Sequence, residues 1–404
     1  MSKKERRSVP VLRFKGFTDD WEQRKLGDIA NSFEYGLNVA AKKFDGKNKY
    51  IRITDIDDST HAFLKDNLTS PNSNLDKIKN YQLKDGDILF TRTGASVGKT
   101  YIYEQNDGTV FYAGFLIRAN ICTNYDPEFI FQNTLTERYD NYIQIISQRS
   151  GQPGVNAKEY AEYTLMCPSL LEQKRISSIL KRVDELIILQ QRKMDNLSKI
   201  QKSLENNLFP DINHVRKLKA SKNNWHTKKL NNIFNERKKC DQYGQLLSVS
   251  MTKGVYPFNP SERKDNSSSN KSNYKVVRKG DIAYNSMRMW QGACGVSKYD
   301  GIVSPAYTVI TPGSNEDASF YYYYFKNNRM KFEFRRHSQG LTSDTWNLKF
   351  PLFKDITIEV PNNEKEQIRI RKLLDTLNEA IKHGNGRIRK LKLLKSFLLQ
   401  KMFI

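Results

Sequence analysis

The 404-residue chain carries four cysteines, Cys122, Cys167, Cys240 and Cys294, with no Cys-x-x-Cys spacing, which argues against a disulfide frame or a zinc knuckle. Its five histidines, His61, His214, His226, His337 and His383, include no His-x-x-x-His pair for a zinc site. No run of about 18 apolar residues occurs, so no membrane span is expected. The basic start, Met1 to Pro10, is not followed by an apolar stretch, so no export signal is expected and the reading is a soluble protein of the reducing cytoplasm. Acidic residues are in the minority, 44 against 67 lysines and arginines, a net charge of +23. An excess of that size repels itself unless a polyanion is its neighbour, which makes nucleic acid the leading partner. Aromatics at 11% exclude wholesale disorder. At roughly 150 residues per domain the length predicts between two and three domains.

What is present is a duplication. Trp21-x-x-x-Lys25-Leu26-x-x-Ile29 recurs as Trp225-x-x-x-Lys229-Leu230-x-x-Ile233, 204 positions on. Gly86-Asp87-Ile88 recurs as Gly280-Asp281-Ile282, and Glu172-Gln173-Lys174-Arg175-Ile176 as Glu366-Gln367-Ile368-Arg369-Ile370, both 194 positions on. The first half therefore holds a longer insertion between the first landmark and the second. The expected organisation is a basic N-terminal arm (1–20), a mixed module (21–168), a long helix (169–209), a basic linker (210–224), a second mixed module (225–361) and a C-terminal long helix (362–404).

Within each half the hydrophobic period switches. Tyr163, Leu165 and Cys167 alternate up to Pro168, as Ile356, Ile358 and Val360 do up to Pro361, a half-buried strand in both copies. Ser169 with Glu172, and Asn363 with Glu366, then have capping-box spacing. Downstream the apolar residues recur in heptad rows: Ile176, Val183, Leu197 and Leu204 beside Ile187, Met194 and Leu208. The second copy matches with Ile370, Leu377, Leu391 and Leu398 beside Leu374, Ile381, Ile388 and Met402, and the misfits Gln190 and Gly384 are equivalent. A heptad held over about five repeats is a coiled-coil seam, and two equivalent seams most simply bury each other. A helix lying only on its own module would show a wider face of period 3.6. The expected fold class is α+β: two similar mixed α/β domains joined by two long antiparallel coiled-coil helices, with a pseudo-two-fold internal repeat. Each helix of about 38 residues would span roughly 57 Å and act as a ruler between the modules.

Further landmarks complete the pattern: Val11-Leu12-Arg13-Phe14, Lys25-Leu26-Gly27-Asp28-Ile29, Gly86-Asp87-Ile88-Leu89-Phe90 with Arg92-Thr93-Gly94, and Pro168 leading to Glu172-Gln173. In the second half stand Gly280-Asp281-Ile282-Ala283-Tyr284, Gln291-Gly292, Gly301-Ile302-Val303-Ser304-Pro305-Ala306-Tyr307, and Pro361 leading to Glu366-Gln367. In order, duplication and the heptad helix after each set, the chain resembles the specificity subunit of a type I restriction-modification enzyme over nearly its whole length. The resemblance implies two target-recognition domains, each reading one half of a split DNA target, and paired helices that dock two methyltransferase subunits. It also implies methyltransferases that bind S-adenosylmethionine, and restriction subunits that translocate and cut DNA with ATP and Mg. No cofactor or metal is expected in this chain, which is read as non-catalytic. The competing reading is an autonomous DNA-binding scaffold or architectural coiled-coil protein without sequence specificity. A fused methyltransferase or nuclease lacks its motifs.

Gly94-Ala95-Ser96-Val97-Gly98-Lys99-Thr100 misses a phosphate loop, having three residues between its glycines where four are required and a strand pattern where a helix is required. It reads as a turn, with exposed amides and Lys99 available to grip a DNA phosphate. Ser304-Pro305-Ala306-Tyr307 lacks one proline of the adenine-methyltransferase element and reads as a strand edge. Pro210-Asp211 with Glu236-Arg237-Lys238 matches metal-nuclease chemistry only superficially, and no serine or cysteine nucleophile context occurs.

DNA readers need cations for phosphates and bidentate or amide side chains for base edges. The candidates in the first half are Arg92, Thr93, Ser96 and Lys99, with Gln148, Arg149 and Gln152 in a glycine-punctuated loop. In the second half they are Asn285, Arg288, Trp290 and Gln291, with Arg335, Arg336 and Gln339. Phe320-Tyr321-Tyr322-Tyr323-Tyr324-Phe325 reads as helix packing, since successive aromatics on a helix point in all directions. Asp126-Pro127 reads as a cap followed by a first-turn proline. Ser261 to Ser272 is a polar loop, and Val215 to Asn224 a basic linker. Because the loops differ between halves, the expected target is asymmetric.

Overall fold

The strand that leads into each long helix pairs with the strand that opens its own half. Glu22–Lys25 lies antiparallel to Thr164–Cys167, with Glu22 opposite Cys167, and Trp225–Lys229 lies antiparallel to Thr357–Pro361, with Trp225 opposite Pro361. The computed structural model describes residues 9–148, 151–209, 225–259, 261 and 267–404. The basic linker expected at 210–224 lies outside them. Two compact units result, Met1–Arg192 with Asn385–Ile404 (unit 1), and Lys193–Gly384 (unit 2). Each holds the start of one long helix and the end of the other.

The units repeat one topology. Unit 1 carries an antiparallel four-stranded sheet in the order Ala30–Tyr35, Leu116–Ile121, Ile88–Thr91, Thr100–Ile102. Unit 2 carries Phe234–Glu236, Tyr307–Pro312, Ile282–Asn285, Cys294–Val296 in the same order. Mostly β-branched and aromatic residues fill these strands, as a pleated, buried surface favours. Against one face packs a helix opened by an aspartate: Asp126 accepts from the amide of Phe129 before Pro127–Asn133, and Asp317 from the amide of Phe320 before Ala318–Lys326. The expected cap and first-turn proline are therefore seen. In Ala318–Lys326, Phe320, Tyr321, Tyr323, Tyr324 and Phe325 are buried, so the aromatic run is packing.

The two landmark tryptophans take equivalent places. Trp21 meets Phe129 and Phe403 edge-on, at 5.9 and 6.5 Å between ring centroids. Trp225 meets Phe320 at 6.4 Å, and Phe320 meets Phe209 at 5.8 Å. Phe403 and Phe209 stand just beyond the ends of the long helices, so each core is closed by the end of the helix that began in the other half of the sequence.

Those helices are Leu170–Leu208 and Glu364–Met402, 39 residues each. In unit 1, Ile176, Val183, Ile187, Ile388 and Met402 are buried, with Leu391 and Leu398 half-buried. In unit 2, Met194, Ile370 and Leu374 are buried, and Leu197, Leu204, Leu208, Leu377 and Ile381 are half-buried. The pairing is antiparallel: Asp184 bonds Lys395 at 2.6 Å while Ile176 shares a core with Met402. Gln201 in unit 2 donates to Asn378 at 3.1 Å, the same pair of positions moved by 194 residues. The two readings of the heptad both have a share, because Ile176 and Ile370 also join the core beneath their own modules.

Of the expected capping boxes, the cap-to-amide bond is present at one helix and the glutamate is diverted at the other. Asn363 accepts from the Glu366 amide at 2.9 Å. Glu172, buried, turns instead to Arg13, whose Nε and Nη2 donate to its two oxygens at 2.7 and 2.9 Å. A guanidinium satisfies both lone-pair sets of a buried carboxylate, which a single cap amide does not. It also fastens the segment before Trp21 to the helix start.

Candidate nucleic-acid interface

The duplicated landmarks prove to be framework. Gly86 and Gly280 have φ of +83° and +93°, a conformation that favours glycine, and the next residue caps the turn from below. Asp87 accepts from the Lys84 amide and Asp281 from the Arg278 amide, both at 2.8 Å. Each buried carboxylate has a cation: Arg237 donates to Asp281 through Nε and Nη2 at 2.6 and 2.9 Å, and Arg118 lies 3.8 Å from Asp87. Burial pushes the Asp87 carboxyl up from the usual carboxylate range, against the pull of Asn120 and Arg118. The Glu-Gln landmark ties each long helix to its module. Gln173 accepts from the amide of Asp126 at 3.0 Å, and Gln367 from that of Asp317 at 2.8 Å.

With the framework accounted for, the loops that differ between halves form the candidate interface. In unit 1, Arg92 follows the strand Ile88–Thr91, and its guanidinium stands 4.9 Å above the Tyr35 ring. Thr93 bridges Gly154, the Gly94 amide donates to Pro153, and an added Cβ at Gly94 would lie 3.1 Å from the Gln152 side-chain nitrogen. The structure thus brings together Arg92, Thr93 and Gln152, two segments some 60 residues apart. Gln148 is exposed next to them, and Arg149 lies outside the described residues. Beside Tyr35 a hollow of about 610 Å³ opens, lined by Phe33, Asn156, Ala157, Lys158 and Ala161.

Ser96 and Lys99 fall elsewhere. They line a cleft of about 1060 Å³ with Asp58, His61, Asp184 and Lys395. The Lys99 ammonium donates to the Ile56 carbonyl at 2.8 Å and to Asp58 at 2.6 Å. The amides of Gly94, Val97, Gly98 and Lys99 all donate inside the protein, to Pro153, Gly94, Thr91 and Ser96. Those four amides are therefore not free for a phosphate, and the expectation of an exposed amide grip is corrected on that ground. The turn reading stands, since Gly94–Ser96 is one 3-10 turn and Thr100–Ile102 continues as strand.

In unit 2 the equivalent turn holds Asn285, Arg288, Trp290 and Gln291, all half-buried. It is built on itself: Asn285 accepts from the Met287 amide at 3.0 Å, and the Trp290 indole donates to the Met287 carbonyl at 3.1 Å. Arg335, Arg336 and Gln339, at and beyond the end of the helix Asn328–Arg336, are exposed. The two segments meet at Trp346, which sequence reasoning missed. Its ring lies edge-on to Trp290 at 5.1 Å, and the Arg335 guanidinium stands 4.8 Å from it. Arg288 approaches Asp344 at 3.9 Å, and Arg336 approaches Glu333 at 3.3 Å. Tyr35 is the counterpart missed in unit 1. The available signal was composition: Trp346 is one of only four tryptophans and stands in an otherwise polar stretch.

Each unit therefore presents an arginine whose guanidinium lies over an aromatic ring, beside glutamine or asparagine side chains. Such a set can read base edges and stack. Among the described residues no cluster of three or more His, Cys, Asp or Glu side chains is placed to hold a metal ion. No helix among them is long and apolar enough to cross a membrane.

Residues 18–199 and 222–393 match the type I restriction modification DNA specificity domain. The chain belongs to that family. It thus carries two target-recognition domains, one in each unit. Over 196 residues it is 28% identical to a protein assigned as the specificity subunit of type I restriction enzyme MjaX from Methanocaldococcus jannaschii, covering 47% of this chain and 46% of that one. Over 116 residues it is 28% identical to the type I restriction enzyme EcoKI specificity subunit of Escherichia coli, covering 27% and 24%. The chain thus matches less than half the length of each of these two curated relatives. Its fold is like that of the crystal structure of the type I restriction-modification S subunit from M. genitalium, with a TM-score of 0.66, 14% identity, and coverage of 98% and 99%.

Proposed function

We propose that the chain is the DNA-specificity subunit of a type I restriction-modification assembly, reading an asymmetric, bipartite double-stranded target with one recognition domain per half-site. The observation that carries this is a repeated framework whose arginine-aromatic pairs differ in residue and in place, Arg92 on Tyr35 in one unit and Arg335 on Trp346 in the other. Different loops on one scaffold read different bases. The net charge of +23 supplies the sequence-independent attraction to phosphate.

The helix pair docks two methyltransferase subunits in this reading. Support comes from apolar pairs left exposed in unit 1 at helical spacing, Leu186 with Leu189 and Leu394 with Phe397, since exposed apolar surface marks contact sites. The chain does no chemistry itself. The methyltransferase subunits use S-adenosylmethionine, and separate restriction subunits translocate and cut with ATP and Mg, all within the cytoplasm.

The test is co-purification followed by sequence-resolved methylation of a random DNA library. The expected product is one split, non-palindromic motif whose methylation requires this chain. Methylation without sequence preference, or salt-sensitive DNA binding with no methyltransferase partner, would favour a scaffold and overturn the reading.

A further inference from the structure

In unit 2 the chain leaves the helix Asn328–Arg336 and turns back through a short loop that is braced on every side except its tip. Gln339 and Asn347 exchange backbone hydrogen bonds at 3.0 and 2.7 Å and close the loop. Inside it the Thr342 carbonyl accepts from the amides of Thr345 and Trp346 at 3.0 and 3.1 Å, and from the Thr345 hydroxyl at 3.0 Å. Gly340 is held at φ +131°, where an added Cβ would lie 2.6 Å from the Thr345 carbonyl, so the backbone here is close-packed on itself. Below the stem, the Leu348 amide donates to Ser286 at 2.8 Å and the Trp346 ring lies against Trp290, anchoring the loop to the predicted recognition turn.

At the tip of this rigid loop stands Leu341, fully exposed at 101% of its reference surface. Single exposed leucines are common on protein surfaces. This one differs in its setting. Its backbone is braced by the bonds above, and its surroundings are cationic: Arg335, Arg336 and Lys349 are exposed, and Arg288 lies 3.9 Å from Asp344, the loop's one carboxylate. An apolar side chain on a stiff tip flanked by cations fits one chemistry well. The cations hold the phosphates on either side while the apolar group enters between stacked bases.

We propose that Leu341 is a wedge that enters a base step of the half-site read by unit 2 and unstacks it. The proposal rests on the reading that this unit binds DNA. Base-edge discrimination belongs to the arginine and tryptophan below the tip, and Leu341 reads how easily a step opens, favouring a flexible pyrimidine–purine step.

The experiment uses the full chain assembled with its methyltransferase subunits, on duplexes that carry its mapped target. 2-Aminopurine is placed at successive positions of both half-sites. Apart from the bases that the methyltransferases flip out for methylation, a fluorescence rise of about threefold or more is expected at one step, in one half-site only, because an unstacked base analogue loses its quenching neighbours. L341A and L341S should abolish the rise and weaken binding about tenfold with the salt dependence unchanged, while L341F should keep it. Since the side chain packs on nothing in the protein, these variants should unfold at the wild-type temperature, which keeps the comparison clean. Target binding without a rise at any step beyond the methylated bases, or such a rise that L341A leaves intact, overturns the wedge alone. If L341A spares the rise but loosens the methyltransferase, the tip is a protein contact and the wedge is again overturned. If the wild-type assembly binds no target duplex, both the wedge and the reading beneath it fall.

Discussion

Gly384, in the second long helix, faces the thioether of Met194 in the first: a methyl added to its Cα would lie 1.9 Å from the sulfur and 2.5 Å from Cε. Glycine inside a helix costs about 1 kcal/mol relative to alanine, so the position gives up propensity for close approach. Overpacking costs about 1–3 kcal/mol, and G384A should therefore destabilise by about 1 kcal/mol net. In an M194A background, which itself costs about 2–3 kcal/mol, the same change should stabilise by about 1 kcal/mol. Denaturant unfolding of the four proteins would measure a coupling of about 2 kcal/mol. Additive effects would mean that the Met194 side chain moves aside and does not restrain this position.

Gln173 sets its amide group between two backbone groups, and Gln367 sets its own between a backbone amide and the Glu316 carboxylate. Gln173 donates to Pro168 at 2.8 Å while accepting from Asp126, and Gln367 donates to Glu316 at 2.7 Å while accepting from Asp317. Both side chains are buried, so removing one leaves unpaired polar groups. Q173A and Q367A should each cost about 2 kcal/mol, seen as a lower unfolding temperature. Q173E should cost more, because a carboxylate then faces the Pro168 carbonyl. Wild-type stability in Q173E would show that the landmark is not a structural tie.

Much of this was legible because it is local or periodic. The cap at Asp126, the strand into Pro168 and the heptad rows each depend on spacings of at most seven residues, and the duplication allowed the strand and the heptads to be read twice. What escaped were contacts between distant segments. Nothing in the spacing of Glu172 reveals that Arg13 claims its carboxylate, 159 positions away. Lys99 and Arg92 look alike in sequence, yet Asp58 and the Ile56 carbonyl occupy the first while Tyr35 flattens beneath the second. Trp346 was overlooked for the same reason, as its meaning comes from Trp290 and Arg335 in space.

The carboxyl of Glu128 makes stability depend on pH. Burial pushes it up to about 7, although a hydrogen bond from Gln132 and the charge of Lys181 pull the other way. Gln132 donates to Glu128 at 2.8 Å and to Asp184 at 2.9 Å, joining two carboxylates across one amide. The folded value lies above the unfolded one, so the contribution is fully present below the unfolded value, near 4.5, and is lost as pH rises through about 7. E128Q mimics the protonated form. It should match the wild type at about pH 4 and exceed it by roughly 2–3 kcal/mol at pH 8.5, read from unfolding midpoints. A constant difference across that range would remove Glu128 as the source.

Arg335 on Trp346 and Arg92 on Tyr35 lead to a prediction that separates reading from mere attraction. A guanidinium lying against a ring keeps its planar fork oriented, and a bidentate contact with a base edge is worth about 1–3 kcal/mol of discrimination. R335A and W346A should therefore relax preference at positions of one half-site, by roughly 10- to 100-fold, and leave the other half-site unchanged. R92A and Y35A should do the reverse. R335K keeps the charge but lacks the fork, so it should retain overall affinity and its salt dependence while losing discrimination. K99A should change neither half-site's preference, since that ammonium is already bound within unit 1. Methylation of a randomised library by each variant assembly gives all of these in one readout. If R335A lowers methylation uniformly across sequences, with a shallower salt dependence and an intact motif, the arginine is a phosphate clamp and the loops that carry specificity lie elsewhere.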